Sequence, residues 1–163
     1  DGKSVLLSTQ DPQNDAIVTP VNSAPEVDEK AINDAWSYFC NDSFWLIAPY
    51  KLFDSGVTRS IVSSEDGKES LLISYGSGGV TPGDKYLWHL DAHHIPTSYQ
   101  MWVQIIPVGG IEATWDNWIK TSTGAFISTS HSIAGTPLEL TNVQTAQSLT
   151  ALGLEENLFD GLK

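Results

Sequence analysis

The sequence of 163 residues predicts an α+β fold in which a curved antiparallel β-sheet, a meander or half-barrel, packs on one or two helices. The first observation behind this prediction is a series of apolar, aromatic-rich runs separated by Gly and Pro, which is typical of consecutive strands and turns. The second is a segment with apolar residues at helical spacing ahead of most of those runs. The third is the shortness of the connections, because antiparallel neighbours need only a few residues between them.

The central hairpin is predicted where residues 71–75 and 85–91 flank a Gly-rich loop. Pro82 and Gly83 match the two central positions of a type II turn, because Pro presets the first position and Gly accepts the positive φ of the second. An Asp-Gly turn indicates another hairpin just before this one. The other predicted strands are residues 2–8, 16–19, 58–63, 99–106, 111–120, 125–133 and 137–142.

Residues 26–40 are predicted to form a helix, because their apolar residues recur at helical spacing and their acidic start suits the positive end of the helix dipole. Asp42 or Ser43 is expected to cap a short second helix that Pro49 would terminate. Residues 44–50 are unusually apolar, and they form either part of the core or the floor of a ligand cavity. The tail from residue 145 is expected to contain a short helix.

Composition limits the classes of partner. The chain is long enough for one domain with its own core, and we predict a single domain over residues 1–163. Its 20 acidic and 8 basic residues give a net charge of -12, which opposes binding to nucleic acid. No apolar run reaches the roughly 18 residues of a membrane span, so no transmembrane segment is predicted. The single Cys40 excludes an intramolecular disulfide, and no cofactor is predicted.

Alternation within the strands predicts large aromatic side chains on both faces of the sheet. Tyr86 and Trp88 share one face, whereas Trp102 points away from Met101. Trp115 and Trp118 are also expected on opposite faces of one strand. One face can pack on the helices, so the other face needs missing chain, a protein partner or an apolar ligand to cover it.

Three segments carry a family resemblance. Residues 42–51 (DSFWLIAPYK), 77–84 (SGGVTPGD) and 101–110 (MWVQIIPVGG) resemble a group of uncharacterised exported bacterial proteins. These proteins are similar in fold to the lipoprotein-carrier (Lol-type) superfamily, in which a curved antiparallel sheet closes over helices around an apolar cavity. The resemblance covers residues 35–132. It implies a periplasmic or cell-surface location, and it implies that the chain is the C-terminal part of a longer sheet.

Few residues are candidates for metal binding, phosphate binding or catalysis. His89, Asp91 and His93 depart from the pattern of the group, and their spacing of two would place them on one face of a strand, where zinc could bind. The alternative is a solvated turn before Pro96. The Gly-rich loop at residues 76–84 lacks the spacing of a phosphate-binding loop, and it is either a hairpin connection or a lid over a cavity mouth. No nucleophile motif or catalytic carboxylate pair stands out, so no catalytic residue is predicted.

The expected function is non-enzymatic binding of a lipid or another apolar ligand by an exported bacterial protein. The alternatives are an interaction module that docks another protein through its sheet face and, third, a zinc-dependent enzyme at the histidines. The residues predicted to line the ligand site are Trp45, Trp88, Met101, Trp102, Trp115 and Trp118.

Overall fold

The computed structural model describes residues 3–20, 24–63, 65 and 67–163. It confirms the predicted α+β class: one α-helix, an open eight-stranded antiparallel sheet and a small two-stranded sheet. The chain divides into two compact units. The terminal unit comprises Asp1–Asp42 and Gln144–Lys163, and the sheet unit comprises Ser43–Val143.

The terminal unit contains the small sheet, in which strand β1 (Ser4–Leu7) pairs with strand β2 (Ala16–Thr19). The two strands are joined by a turn in which the Asp15 amide donates to the Asp11 carbonyl at 2.9 Å. The backbone amide of Lys163 donates to the Asp15 carboxylate at 2.8 Å. The last residue of the chain is therefore held at this turn.

A single helix, α1 (Pro25–Ile47), replaces the two helices that residues 26–49 were expected to form. Pro25 occupies the first helical position, where its missing N–H costs nothing, and the acidic residues of the first turn lie where predicted. Asp42 and Ser43 were expected to be caps but lie inside the helix. Each costs less than about 1 kcal/mol there, and no Gly or Pro interrupts the helix before Pro49. Pro49 then lies in the 3-10 helix Ala48–Lys51 that follows.

The strands of the large sheet are β3 (Val57–Ser63), β4 (Glu69–Tyr75), β5 (Lys85–Leu90), β6 (Pro96–Trp102), β7 (Ile111–Thr114), β8 (Asp116–Lys120), β9 (Phe126–Ile133) and β10 (Thr136–Glu139). Their order in the sheet is β10-β9-β7-β6-β5-β4-β3, and β8 also pairs with β9. All these pairings are antiparallel, as predicted.

The loop before β5 contains the predicted turn at Pro82 and Gly83. Gly83 has φ 110°, and the Asp84 amide donates to the Thr81 carbonyl at 3.3 Å.

The expected single strand over residues 111–120 is broken, which corrects the prediction of its faces. Strand β7 ends at Thr114, and β8 continues on β9 rather than on β6. Asn117 has a φ of 49°, outside the range of regular strands. The period-two alternation is therefore interrupted between Trp115 and Trp118. The hairpin predicted between residues 58–63 and 69–75 is confirmed by the pairing of β3 with β4, although Ser64 and Asp66 of its turn lie outside the described residues.

The core of the sheet unit lies between the end of α1 and one face of the sheet. The Phe44 ring centroid lies 4.9 Å from that of Tyr86, 5.9 Å from that of Tyr99 and 6.5 Å from that of Trp115. We call the face that carries these rings the helix-side face. None of the helices in the described part of the chain is long and apolar enough to cross a membrane.

Candidate functional site

Register along the sheet places one row of large side chains across the helix-side face. Leu71 on β4 is paired with Trp88 on β5, which is paired with Tyr99 on β6 and through it with Ala113 on β7. Residues that are paired across antiparallel strands project to the same face, so the row is continuous. Neighbouring rows on the same face place Tyr86 beside Met101. Alternate residues of β4, β5 and β6 therefore project to the helix-side face, where their large side chains form the interior.

Most of the residues predicted to line a ligand site instead pack against one another. The side chains of Trp88 and Trp115 are 0% and 2% exposed, and their ring centroids lie 4.3 Å apart. Met101 is also buried in this core, and Trp45 packs against Tyr99 at 6.2 Å between centroids. Trp88, Trp115, Met101 and Trp45 therefore contribute to a filled interior.

Trp118 joins the same side of the sheet as Trp115, although the two were expected on opposite faces. Their ring centroids lie 6.5 Å apart. The break between β7 and β8 is the reason, because it resets the alternation by which the faces were predicted. One of the two predicted examples of aromatic residues on both faces of the sheet is therefore wrong.

Trp102 is the other example, and it does lie on the face opposite the helix. Its side chain is 43% exposed and packs against the loop that follows β6. A Cβ atom at Gly109 would come within 2.3 Å of Trp102 Cδ1, so a glycine is needed where the loop crosses the indole ring. Trp102 is thus separated from the helix-side face and from the other five predicted residues.

An open cavity of about 290 Å³ lies on the helix-side face, beside the 3-10 helix that follows α1. Two of the predicted residues border it: Trp118, and Trp88, which is 0% exposed and therefore lies directly behind the surface of the wall. Most of the other lining residues were not predicted from the sequence, because they come from five separate segments. For residues 44–50, a cavity floor was one of two alternatives: Pro49 and Tyr50 line the cavity, whereas Phe44 and Trp45 pack against the core. The lining residues are Pro49, Tyr50, Leu52, Leu71, Trp88, Leu90, His94, Ile95, Pro96, Trp118 and Phe126.

Hydrogen bonds hold the aromatic wall of the cavity in place. The Tyr50 hydroxyl donates to the Phe126 carbonyl at 2.8 Å and accepts from the Phe126 amide at 2.7 Å. The Trp118 indole Nε1 donates to the Pro96 carbonyl at 3.0 Å, and its ring stacks on Phe126 at 5.5 Å. These contacts join the 3-10 helix, the start of β6, β8 and β9. The wall therefore presents carbon surface with its polar atoms already paired.

Few of the side chains that line the cavity are of the kinds that act in catalysis. His94 alone among its lining residues has a basic side chain, and none of them carries a carboxylate. The Gly-rich loop that was considered as a lid precedes Lys85, at the end of β5 away from Leu90 of the cavity wall. In that loop, Asp84 accepts hydrogen bonds from Thr81 Oγ1 at 2.6 Å and from the Gln104 amide at 2.9 Å. These bonds attach the loop to the end of β6, away from the cavity.

The three candidate zinc ligands do not form a ligand set. His89 lies 2.9 Å, Nδ1 to Oγ, from Ser70. The Asp91 carboxylate accepts from the backbone amides of Ile95 at 2.9 Å and His93 at 2.8 Å, and these bonds lower its pKa. The geometry is that of a tight turn, the alternative that the sequence left open. Among the described residues, no group of three or more His, Cys, Asp or Glu side chains is placed to hold a metal ion.

Several polar atoms are buried around the aromatic core. Among the described residues, the indole nitrogens of Trp88 and Trp115, the Tyr99 hydroxyl and His131 Nε2 have no hydrogen-bond partner. Burial is the main cause that raises the pKa of Tyr99 and of Tyr86 above the usual value of a tyrosine. Burial likewise lowers the pKa of His131, against the smaller opposing effects of the Thr114 carbonyl and of two carboxylates. This cluster belongs to the packed interior rather than to the open cavity.

Comparison of the chain with known protein families, with curated proteins and with solved structures finds no match in any of the three.

Proposed function

We propose that this protein binds a small apolar molecule, or the apolar part of a lipid, in the cavity on the helix-side face. The observation that carries the proposal is the open cavity of about 290 Å³ lined almost entirely by apolar and aromatic side chains. Ligand pockets in proteins typically occupy about 300–1,000 Å³ and share this mostly apolar lining. The cavity lies just below that range, which favours a single slender ligand.

The cavity is open to solvent, so it can cover only part of an alkyl chain. Each methylene group that the wall covers contributes about 0.8 kcal/mol to binding.

A series of linear alcohols tests the proposal through tryptophan fluorescence, since Trp118 lies in the cavity wall and the buried Trp88 lies directly behind it. Affinity should rise about fourfold with each added methylene group, the factor that corresponds to about 0.8 kcal/mol. The rise should stop once further carbons extend beyond the cavity wall. Absence of saturable binding for every alcohol would refute the proposal.

A matched pair of substitutions tests the location of the site. Leu71 lines the cavity, whereas its neighbour Leu72 projects from the same strand to the other face. Leu71→Phe should fill part of the cavity and weaken binding of the longer alcohols at least tenfold. Leu72→Phe adds the same ring outside the cavity and should leave binding unchanged. Equal effects of the two substitutions would place the ligand elsewhere.

The docking alternative has less support than the cavity. Side chains that alternate with the core residues project to the opposite face, and Trp102 is the only aromatic residue among those on β5 and β6. An isolated exposed indole is common on protein surfaces. We therefore assign the function to the cavity rather than to that face.

We also propose that the protein works in the periplasm or at the cell surface. This part of the proposal depends on the sequence resemblance of residues 35–132 to exported bacterial proteins. Fractionation of the source cells tests it, and recovery of the protein only with cytoplasmic markers would refute it.

A further inference from the structure

We infer that the ligand of the cavity is an amphiphile with an uncharged oxygen head group, a hydroxyl or a carbonyl, which forms a hydrogen bond with the imidazole of His94. The inference rests on the proposed function, because it presupposes that an apolar chain occupies the cavity. It adds the class of head group and the side chain that binds it.

His94 stands out among the polar side chains of the cavity wall. Within the described residues, the lining side chains that carry a nitrogen or oxygen atom are Tyr50, Trp88, His94 and Trp118. The Tyr50 hydroxyl and the Trp118 indole nitrogen are bonded to main-chain oxygens, and Trp88 Nε1 is buried. His94 is exposed, and its imidazole forms no hydrogen bond with the part of the chain that the structure describes. Its ring nitrogens therefore remain for a ligand, in a wall that is otherwise apolar.

A tight turn holds the backbone of His94 beside the cavity. Leu90 before this turn and Ile95 at its end both line the cavity. The His94 amide donates to the Asp91 carbonyl at 3.0 Å, and the Asp91 amide donates to the Ile95 carbonyl at 2.9 Å. His94 itself has a φ of 63°, in the left-handed region that residues other than glycine seldom adopt. Such conformations persist where the surrounding contacts enforce them, and they are concentrated at ligand sites.

The charges around His94 favour an uncharged head group. The Asp91 carboxylate lies in the same turn, where it accepts the amides of His93 and Ile95, and the chain carries a net charge of -12. This negative potential opposes an anionic head group. A cationic head group would be complemented by a carboxylate in the wall, and none of the described lining residues has one.

A neutral imidazole suits a hydroxyl or a carbonyl oxygen, because one of its ring nitrogens donates a hydrogen bond and the other accepts one. Its donor can bind either kind of oxygen, whereas its acceptor can bind only a hydroxyl. The same side chain therefore accommodates an alcohol and a ketone or ester, and the experiment distinguishes between them.

The experiment compares 1-hexanol, 2-hexanone, hexanoate and hexylammonium, which have the same number of carbons and differ in head group. It is carried out at pH 8, above the range in which histidine ordinarily titrates. We expect the alcohol or the ketone to bind more tightly than both ions, and the tighter of the two identifies the head group. Tighter binding of either ion than of both uncharged ligands overturns the inference and leaves the proposed function intact. Failure of all four to bind overturns both.

Substitution of His94 tests the assignment, with 1-chlorohexane as a ligand whose end group is a poor hydrogen-bond partner. His94→Leu should lower the affinity for 1-hexanol relative to 1-chlorohexane about fivefold, the effect of one neutral hydrogen bond. His94→Gly, which accepts the positive φ without strain, should lower the same ratio equally. The control is His93→Leu, one residue earlier and outside the cavity wall, which should leave the ratio unchanged. An unchanged ratio in both His94 variants would overturn the inference.

Discussion

At the scale of single residues, two tyrosine hydroxyl groups of the sheet unit differ in their hydrogen bonding. The Tyr50 hydroxyl exchanges two hydrogen bonds with the backbone of Phe126, 76 residues away. The Tyr99 hydroxyl, by contrast, is buried among aromatic rings and has no partner among the described residues. A buried hydroxyl without a partner costs about 1–3 kcal/mol of stability, whereas a satisfied one contributes about 1 kcal/mol.

Tyr99→Phe is therefore expected to leave the free energy of unfolding unchanged or to raise it by up to about 1 kcal/mol. Tyr50→Phe removes the same hydroxyl from a satisfied site and should lower the free energy of unfolding by about 1 kcal/mol. Urea unfolding at pH 7, followed by tryptophan fluorescence, measures both. A loss of more than 1 kcal/mol in Tyr99→Phe would show that its hydroxyl makes a stabilising bond.

The lowered pKa of His131 predicts how the free energy of unfolding depends on pH. Its Nδ1 lies 2.9 Å from the Thr114 carbonyl, so this nitrogen carries the proton of the neutral ring, and burial lowers the pKa in the folded state. At pH values below the ordinary histidine pKa of about 6.5, the imidazole of His131 is protonated in the unfolded chain, whereas in the folded chain its lowered pKa keeps it neutral to a lower pH. The contribution of His131 to stability is complete above that pH and is lost as pH falls towards the lowered pKa.

His131→Gln should therefore reduce the pH dependence of the free energy of unfolding between pH 7 and pH 5.5, by at most about 1.4 kcal/mol per pH unit. Urea unfolding at several pH values measures the slope. His93→Gln, at an exposed turn position, is the control and should leave the slope as it is. An unchanged slope in His131→Gln would contradict the prediction.

At the scale of elements, the strands and the helix differ in how well local sequence predicted them. Alternation correctly placed Tyr86 and Trp88 on one face, because residues two apart in an unbroken strand must share a face. The same rule failed between Trp115 and Trp118, since the left-handed backbone at Asn117 interrupts the strand. In α1, Asp42 and Ser43 have the side chains of caps, but they do not stop a helix whose later turn packs Phe44 into the core.

The turn between β9 and β10 gives a prediction at this scale. Ile133 pairs with Thr136, so Ala134 and Gly135 form a two-residue loop with φ angles of 47° and 84°. Both values are positive, as type I′ turns require, and alanine pays about 1–2 kcal/mol for that conformation, whereas asparagine tolerates it better. Ala134→Asn should therefore raise the free energy of unfolding by about 0.5–1 kcal/mol.

The reverse exchange is the control. Asn142 has a similar φ of 56°, so Asn142→Ala should lower the free energy of unfolding by a comparable amount. Both variants are measured by urea unfolding. Opposite signs at the two positions support the explanation, and a loss of stability in Ala134→Asn contradicts it.

At the scale of the whole molecule, the net charge of -12 opposes compaction. Lysines form three ion pairs within the described residues, and the one between Lys30 and Asp34 is well exposed to solvent and contributes little. Repulsion among the excess carboxylates should therefore dominate the response to salt. At 0.15 M ionic strength, charges more than about 8 Å apart are already largely screened.

The free energy of unfolding in urea is accordingly expected to be higher in 0.5 M than in 0.01 M sodium chloride. The same gain should appear with potassium chloride, because screening depends on ionic strength rather than on the identity of the cation. A fall in stability on adding salt would mean that attractive ion pairs outweigh the general repulsion.

Local sequence determined the α+β class, the antiparallel pairing and the turn at Pro82 and Gly83, because periodicity and turn chemistry act over a few neighbouring residues. Only the tertiary structure decided what the aromatic residues do. In the folded protein, Trp88 and Trp115 lie in a filled core and Trp102 lies on the opposite face. The cavity wall is formed by Tyr50, Leu71, Phe126 and the segments around them. The physical reason is that a cavity is the space left after distant segments have packed, and no short stretch of sequence records that packing.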